Sequence, residues 1–372
     1  MSTRGAPDYR RTVPIATPEL TPGPFLHARA LVRPVDPAVG LEGEAHHCRL
    51  TKPRGALGRI EDLGCRLSAI AGSVPPPVPS PAAVGIFAGD HGVVEAGVTP
   101  WPQEVTAQMV ANFVGGGAAI NVIARQVGAS VTVVDVGVAA DLADVDGIEH
   151  HNVVRGTANL AEAPALTFTQ LGDALDVGAL VATQLVAGGA ALLVTGEMGI
   201  GNTTPSAAII AALLGVPAAN VTGRGTGIDD EMLHHKIDVI DTAVSRLGTD
   251  PHVLTVLAAV GGAEIVALVG FITGGAAAGV PVVIDGVIAG AALLAASQLC
   301  PDVVGYCFAG HRSTEPGASA VLDRLGLTPI LDLGMRLGEG SGACLAVPVL
   351  EAAARVMQEM ATFDSAGVVE KA

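Results

Sequence analysis

Short apolar runs alternate with longer apolar stretches along most of the chain. The short runs are typical of buried strands, and they span residues 83–90, 130–137, 191–197, 280–286, 303–310 and 329–334. The longer stretches are typical of helices, and one of them covers residues 102–127. Strands that alternate with helices in this way pair in parallel, with helices packed on both faces of the sheet. The pattern therefore predicts an α/β fold built on a doubly wound, mostly parallel sheet.

The two ends of the chain lack this alternation. Residues 1–25 are rich in proline and show little apolar periodicity, which predicts a flexible N-terminal extension. Helix-like sequence follows as far as a proline-rich connector at 74–81, and a long helix is predicted from Cys344. We therefore expect residues 26–80 and 344–372 to form a smaller helical domain, and residues 81–343 to form the main domain around the sheet.

One stretch, residues 265–284, carries no charge over a length that could cross a membrane. It contains several glycines and Pro281, and neither an aromatic belt nor a cluster of Lys and Arg flanks it. Periodicity alone does not separate a membrane span from a buried helix. The glycines and the missing flanks favour a buried helix that is followed by the strand at 280–286.

Composition and charge narrow the function classes. Half of the 372 residues are apolar but only 3% are aromatic, and 48 are glycine, which suits helices packed closely on a sheet. The formal net charge of −16 argues against nucleic acid as a partner, because nucleic acid is itself negative. Five cysteines without a C-x-x-C pair, and an N-terminus without the apolar core of a signal peptide, favour the cytoplasm. The histidines that occur in adjacent pairs point to different faces, so no metal site is predicted.

Polar clusters follow the strand-like runs. They lie at residues 89–92, 195–204, 285–286, 309–317 and 334–342. In doubly wound sheets, ligands bind beyond the C-terminal ends of the strands. One site formed from several strand ends would account for all of these clusters together.

The cluster TGEMGIGNTT has the spacing of a phosphate-binding P-loop over residues 196–203, but Asn202 occupies the position of the lysine. A helix with Thr204 as its predicted hydroxyl cap and Pro205 as its first residue would direct free N–H groups of the loop toward an anion. Without the lysine, nothing bridges a β- and a γ-phosphate, so a nucleoside triphosphatase is not favoured. The alternative is a capped turn whose glycines serve only packing.

Three further clusters carry ionisable side chains. Glu339 lies between two glycines and is a candidate general base, since burial against apolar walls raises the pKa of a carboxyl group. The alternative is a capping residue of the final helix. Lys236 and Arg224 are candidate phosphate partners. Asp90 and His91 are candidates for catalysis, or for a hydrogen bond between them that holds their turn.

Taken together, these clusters resemble the nicotinate-nucleotide:dimethylbenzimidazole phosphoribosyltransferase family, whose members make the lower-ligand nucleotide of cobalamin. The matching stretches are LTKPRGALGRIEDL (50–63), FAGDHGVVEAGVTPWPQEVTAQMVANFVGGGAAINVIARQ (87–126), TGEMGIGNTTPSAAI (195–209), GRGTGIDDEMLHHK (223–236), AGHRSTEPG (309–317) and LDLGMRLGEGSGA (331–343). The resemblance implies that residues 81–343 form a Rossmann-like catalytic domain, that both chain ends build the small domain, and that the protein is a homodimer.

The resemblance also implies the reaction and its residues. The phosphoribosyl group of nicotinate mononucleotide would pass to 5,6-dimethylbenzimidazole with inversion at C1′, giving α-ribazole 5′-phosphate and nicotinate. Glu339 would be the general base and Glu197 a second catalytic glutamate. The substrate-binding residues implied are Gly199, Gly201, Asn202, Thr203, Lys236, Asp285, Arg312, Ser313, Asp90, His91, Trp101 and Gln108. No metal or cofactor is implied, because the pyridinium ring leaves readily as a neutral base.

Because of small departures from the family pattern, the sequence does not determine which base accepts the phosphoribosyl group. Arg54 and Ala56 replace a proline and a serine, and residues 99–101 differ from the usual S-x-Y. Trp101 is expected to line the pocket of the aromatic base. The alternatives are therefore transfer to another base, such as adenine or a different benzimidazole, and a non-catalytic nucleotide sensor. A sensor would not need both Glu339 and Glu197 at strand ends.

Overall fold

A computed structural model describes residues 20–369. In this part of the chain six strands form one sheet: β1 Ala82–Gly89, β2 Ser130–Gly137, β3 Glu149–His150, β4 Leu192–Met198, β5 Val282–Ile284 and β6 Cys307–Ala309. Their order is β3-β2-β1-β4-β5-β6, and each neighbouring pair is parallel. The predicted α/β fold with a parallel sheet is confirmed. The chain reverses its direction of winding between β1 and β4, where open parallel sheets bind ligands.

Helices cover both faces of the sheet. They are α1 Pro24–Leu31, α2 Pro37–Arg49, α3 Arg59–Ala71, α4 Val105–Val114, α5 Ala119–Val127, α6 Phe168–Ala187, α7 Thr203–Leu214, α8 Asp230–Ser245, α9 Val253–Val260, α10 Ala263–Ala277, α11 Val287–Leu299, α12 Pro316–Leu325, α13 Ser341–Glu359 and α14 Phe363–Ala366. One apolar core lies between the sheet and α6, α7, α9, α10 and α11. A second lies between the sheet and α3, α4, α5 and α13.

The central strands are buried on both faces. In β1, Ala83 and Phe87 enter the first core, whereas Val84 and Ile86 enter the second. A strand covered on both sides reads as a continuous apolar run, which is why β1, β2 and β4 were predictable from the sequence.

Three details of the predicted elements are wrong. The run at 329–334 is not a strand, because only Leu331 forms an isolated bridge and Leu333 is exposed. The run at 303–310 contains only β6, since a 3₁₀-helix occupies Pro301–Tyr306. The stretch at 102–127 is divided at Gly115–Gly117 into α4 and α5. By length and composition alone, the stretch that these two helices span could cross a membrane.

The apolar segment at 265–284 is a buried helix followed by a strand, as predicted. Residues 263–276 of α10 are all buried, and β5 follows. The helix packs directly against α6: a Cβ atom at Gly178 would lie 1.7 Å from the carbonyl oxygen of Ala267, and one at Gly270 would lie 2.0 Å from that of Leu175. This close approach of two backbones accounts for part of the glycine-rich composition.

The two chain ends meet in space. Helix α2 packs on α3, and α3 packs on α13. Leu50 forms a bridge with Thr362. Helix α1 packs instead on α6 and α10, where Phe25 is buried. Residues 1–19 of the predicted N-terminal extension lie outside the described residues, and the division into domains stays a prediction.

Candidate active site

A cavity lies at the C-terminal ends of the strands. Its volume is about 300 Å³. Loops after β4 and β6, the loop before α8 and the turn before α13 form its walls. The polar and charged lining residues are Glu197, Asn202, Thr203, Thr226, His311, Ser313, Glu315, Arg336 and Glu339. The large apolar lining residues are Trp101, Val105, Met109, Met198, Ile200, Val287, Ile288 and Leu337.

Glu339 lies in the turn before α13 with a φ of 63°, between two glycines that also have positive φ. Its carboxylate accepts a hydrogen bond from the Ile120 N–H in the first turn of α5, at 3.1 Å. The interpretation that Glu339 caps the final helix is wrong, because α13 begins at Ser341 after an N-cap at Gly340. The sequence cannot show that the carboxylate reaches a helix more than 200 residues away.

Glu339 has the properties of a general base. The side chain is buried at the cavity wall. Burial raises the pKa of Glu339, the Ile120 N–H opposes the rise, and the nearby Asp285 adds to it. A carboxylate whose pKa is raised toward neutrality can accept a proton from a bound substrate more effectively than an exposed one.

Glu197, at the end of β4, faces the same cavity. Its Oε2 accepts a hydrogen bond from the side-chain amide of Asn202, and the Glu339 N–H also donates to the carboxylate. Burial raises the pKa of Glu197 to about 8, the negative charges of Asp285 and Glu264 contribute to the rise, and the two donors oppose it. The two glutamates that line the cavity are therefore linked through the Glu339 backbone.

The loop after β4 leads into α7, whose N-terminus borders the cavity. Helix α7 begins at Thr203, two residues before the predicted first residue Pro205. The prediction that Thr204 caps the helix is wrong, because the N-cap residue is Asn202, whose side chain makes no capping hydrogen bond. A smaller adjoining cavity is lined by Gly199, Gly201, Asn202, Thr203, Arg224, Gly225 and Lys236, among others. Because a helix N-terminus attracts anions, this end of the site suits a phosphate group.

Lys236 supplies a cation at this end. Its Nζ donates hydrogen bonds to Thr203 Oγ1 at 2.7 Å and to the Gly223 carbonyl oxygen at 3.4 Å. Burial lowers the pKa of Lys236 to about 8, although the Glu315 carboxylate opposes the shift. A bound phosphate would favour the charged form of this lysine. Arg224 also borders the smaller cavity, and its guanidinium pairs with Asp230.

Five predicted substrate-binding residues do not line the cavity. The Arg312 guanidinium contacts Asp332 and Ser319, and Gln108 is exposed on α4. The other three are buried: Asp90, His91 and Asp285. The substrate contacts proposed for these five residues stay predictions without a place in the cavity wall.

His91 and Asp90 form contacts with neighbouring segments of the chain and not with the cavity. His91 Nε2 forms an ion pair at 2.8 Å with the fully buried Glu264 of α10. Asp90 accepts a hydrogen bond from the Ala139 N–H, so the predicted bond between Asp90 and His91 is wrong. The partners of both residues are distant in sequence, which is why no local pattern reveals them.

Asp285 lies behind the cavity, next to a residue that sequence reasoning missed. Its Oδ1 accepts a hydrogen bond from the Ala343 N–H at 2.9 Å and lies 3.4 Å from His311 Nε2. His311 is buried and lines the cavity. The motif AGHRSTEPG contains His311, but its spacing does not distinguish this histidine from its neighbours.

Glu315 and Arg336 were also missed. Glu315 Oε1 accepts a hydrogen bond from the Gly225 N–H at 2.9 Å, and Arg336 donates to the carbonyl oxygen of the same glycine. Both side chains line the cavity. They hold the loop before α8 in place beside the phosphate end of the site.

Comparison with known proteins gives consistent relatives over most of the chain. A family model described as phosphoribosyltransferase matches residues 32–368. The nicotinate-nucleotide:dimethylbenzimidazole phosphoribosyltransferase of Salinispora tropica is 52% identical over 357 residues, covering 92% of this chain and 98% of the relative. The protein of the same name from Geobacter sulfurreducens is 50% identical over 344 residues, covering 92% and 97%. A crystal structure of this enzyme from Thermus thermophilus has a TM-score of 0.86 at 46% identity, covering 90% of this chain and 100% of that chain.

Proposed function

We propose that this chain transfers the phosphoribosyl group of nicotinate mononucleotide to 5,6-dimethylbenzimidazole. The chain belongs to the nicotinate-nucleotide:dimethylbenzimidazole phosphoribosyltransferase family, and this is the basis of the proposal. The products are α-ribazole 5′-phosphate and nicotinate. The observation that carries the proposal is a pair of adjoining cavities: the smaller has a buried lysine at a helix N-terminus, where a phosphate would bind, and the larger has two buried carboxylates and an apolar wall. Lys236 and the N-terminus of α7 form the phosphate site, and Glu197 and Glu339 supply the carboxylates.

The apolar wall suits a flat aromatic base. Trp101, Met109 and Leu337 contribute to it. Trp101 is 48% exposed, so it lies at the mouth of the cavity. A wall of this kind recognises shape and surface more than a pattern of hydrogen bonds, which accords with an acceptor that has a single N–H group.

The chemistry needs a base and accurate positioning. The lone pair of one benzimidazole nitrogen attacks C1′, and the bond from C1′ to the pyridinium nitrogen breaks. The bonding electrons return to the pyridine ring, which leaves as nicotinate. The proton on the other benzimidazole nitrogen passes to Glu339. Attack opposite the leaving group converts the β-nucleotide into an α-nucleotide.

The two carboxylates have different roles in the reaction. Glu339 removes the proton, and general-base catalysis of this kind contributes about 10²–10⁴-fold to the rate. Glu197 stabilises the positive charge that develops at the ribose carbon when it is ionised. Its pKa of about 8 means that the ionised fraction grows as the pH rises toward and above 8. Holding the two substrates in line contributes about 7–11 kcal/mol in favourable cases. Neither a metal nor a covalent nucleophile is required, since the cationic ring is already a good leaving group.

We also propose that the protein works as a homodimer in the cytoplasm. Val114 of α4 and Val122 of α5 are exposed apolar side chains, and an interface between subunits would cover them. Each of the five cysteines, all within the described part of the chain, is a free thiol. Free thiols are typical of a reducing compartment.

The direct test is release of nicotinate by the purified protein. With both nicotinate mononucleotide and dimethylbenzimidazole present, we expect steady release of nicotinate, one molecule for each molecule of base consumed. Omission of the base should reduce release to the rate of slow hydrolysis. A protein that binds both compounds and still releases no nicotinate would refute the proposed function.

A further inference from the structure

Asn202 occupies the position that a lysine takes in phosphate-binding loops, and its side chain hydrogen-bonds to a carboxylate. It is the N-cap residue of α7, but its side chain makes no capping hydrogen bond. The amide Nδ2 donates to Glu197 Oε2, and both side chains are buried. The contact is therefore shielded from water, where a hydrogen bond to a charged group is strongest.

Glu197 is confined on its other sides as well. A Cβ atom at Gly338 would lie 2.2 Å from Glu197 Oε1, so the turn before α13 lies directly against the carboxylate. The Glu339 N–H donates from the same turn. Asn202 contacts the carboxylate from the start of α7. The carboxylate is thus fixed between two loops that both line the cavity.

The charges around Glu197 disfavour its ionised form. Asp285, after β5, and Glu264, in the first turn of α10, are the acidic groups that raise the pKa of Glu197 in addition to burial. The donors that oppose them are the Asn202 amide and the Glu339 N–H. Of these two donors, only the Asn202 amide belongs to a side chain. A lysine at this position would form an ion pair with Glu197 and would no longer be free to bind phosphate.

We propose that Asn202 is a positioning residue, which orients the Glu197 carboxylate toward the cavity and increases the fraction of it that is ionised for the reaction. The inference rests on the proposed function, because it assigns Glu197 a role only in phosphoribosyl transfer. It also accounts for the missing lysine of the loop. The phosphate cation comes from Lys236 on α8, which leaves the loop position free to hold the catalytic carboxylate.

The test is the pH dependence of kcat/KM for Asn202→Asp and Asn202→Leu. The first variant keeps the size and shape of the side chain but places a second carboxyl group against Glu197. Two adjacent carboxyl groups disfavour ionisation of both, so they hold one proton between them up to a higher pH. The second variant removes the donor without adding charge. In both, we expect the acidic limb of the profile to move by at least about one pH unit to the alkaline side, a loss of about 10-fold at pH 7. Activity should recover toward the wild-type value as the pH rises.

Asn220→Asp is the matched control, because Asn220 is exposed in a short 3₁₀-helix that does not line the cavity. It should retain the wild-type profile. Thermal unfolding of each variant shows whether the fold is intact. If the wild type is active and both Asn202 variants keep the wild-type acidic limb, or lose activity equally at every pH, the positioning role is refuted. If the wild type itself releases no nicotinate, the proposed function fails instead.

Discussion

Replacement of Glu339 by glutamine should lower kcat for nicotinate release by about 10²–10⁴-fold, the usual contribution of a general base. Glutamine keeps a carbonyl oxygen that can accept the Ile120 N–H, so the turn before α13 should keep its shape. It cannot accept the benzimidazole proton. Binding of nicotinate mononucleotide should therefore change little, because the phosphate end of the site is intact.

Steady-state kinetics and a separate measurement of nucleotide binding by calorimetry distinguish these effects. Glu351→Gln is the matched control, since Glu351 lies on α13 and does not line the cavity. It should behave as the wild type. A Glu339→Gln protein with nearly normal kcat would show that another group accepts the proton.

Replacement of Gly338 by alanine should reduce kcat/KM by about 100-fold through displacement of Glu197. The new Cβ atom would lie 2.2 Å from Glu197 Oε1, and this carboxylate would have to move. A displacement of about 1 Å of a catalytic group can cost about 10²-fold in rate. Gly338 has a φ of 88°, so alanine also strains the backbone.

Gly334→Ala separates the two effects. Gly334 has a φ of 67°, but a Cβ atom at this position would meet nothing within 4 Å. Each variant should lose about 1–2 kcal/mol of stability from the left-handed conformation. Only Gly338→Ala should lose most of its activity. Equal activity of the two variants, with similar unfolding temperatures, would contradict the placement of Glu197 against this turn.

The sequence predicted the parts of the fold that depend on local pattern. The central strands are buried on both faces, so their apolar runs were clear. The run at 329–334 has a similar pattern, but it lies beyond β6, where it forms only the Leu331 bridge and leaves Leu333 exposed. β3 consists only of Glu149 and His150, too short and too polar to show a pattern.

The candidate site was predictable where a motif sits at a strand end. Glu197 follows this rule at the end of β4 and lines the cavity. Glu339 also lines the cavity, but it lies in the turn before α13, because the strand predicted at 329–334 is absent from the described residues. Partners that come from distant parts of the chain were not predictable. His91 pairs with Glu264, and the carboxylate of Glu339 reaches the N–H of Ile120. Such pairs depend on how the helices pack, which a local sequence pattern does not record.

The role of Asn202 shows the same limit. The spacing of the loop indicated an anion site, and Thr203 at the start of α7 borders the cavity as expected. The absence of lysine from the loop is consistent with a ligand that has a single phosphate. The contact between Asn202 and Glu197 was not predictable from the spacing, because it depends on how β4 and α7 bring the two side chains together.

Product analysis with competing bases tests the central claim most directly. The purified protein would receive nicotinate mononucleotide together with equal amounts of dimethylbenzimidazole, unsubstituted benzimidazole and adenine. Mass spectrometry would identify the nucleotides formed, and nuclear magnetic resonance would give the configuration at C1′. We expect nicotinate release with α-ribazole 5′-phosphate as the main product. A predominant adenine nucleotide, a β-configured product or no nucleotide product at all would contradict the account.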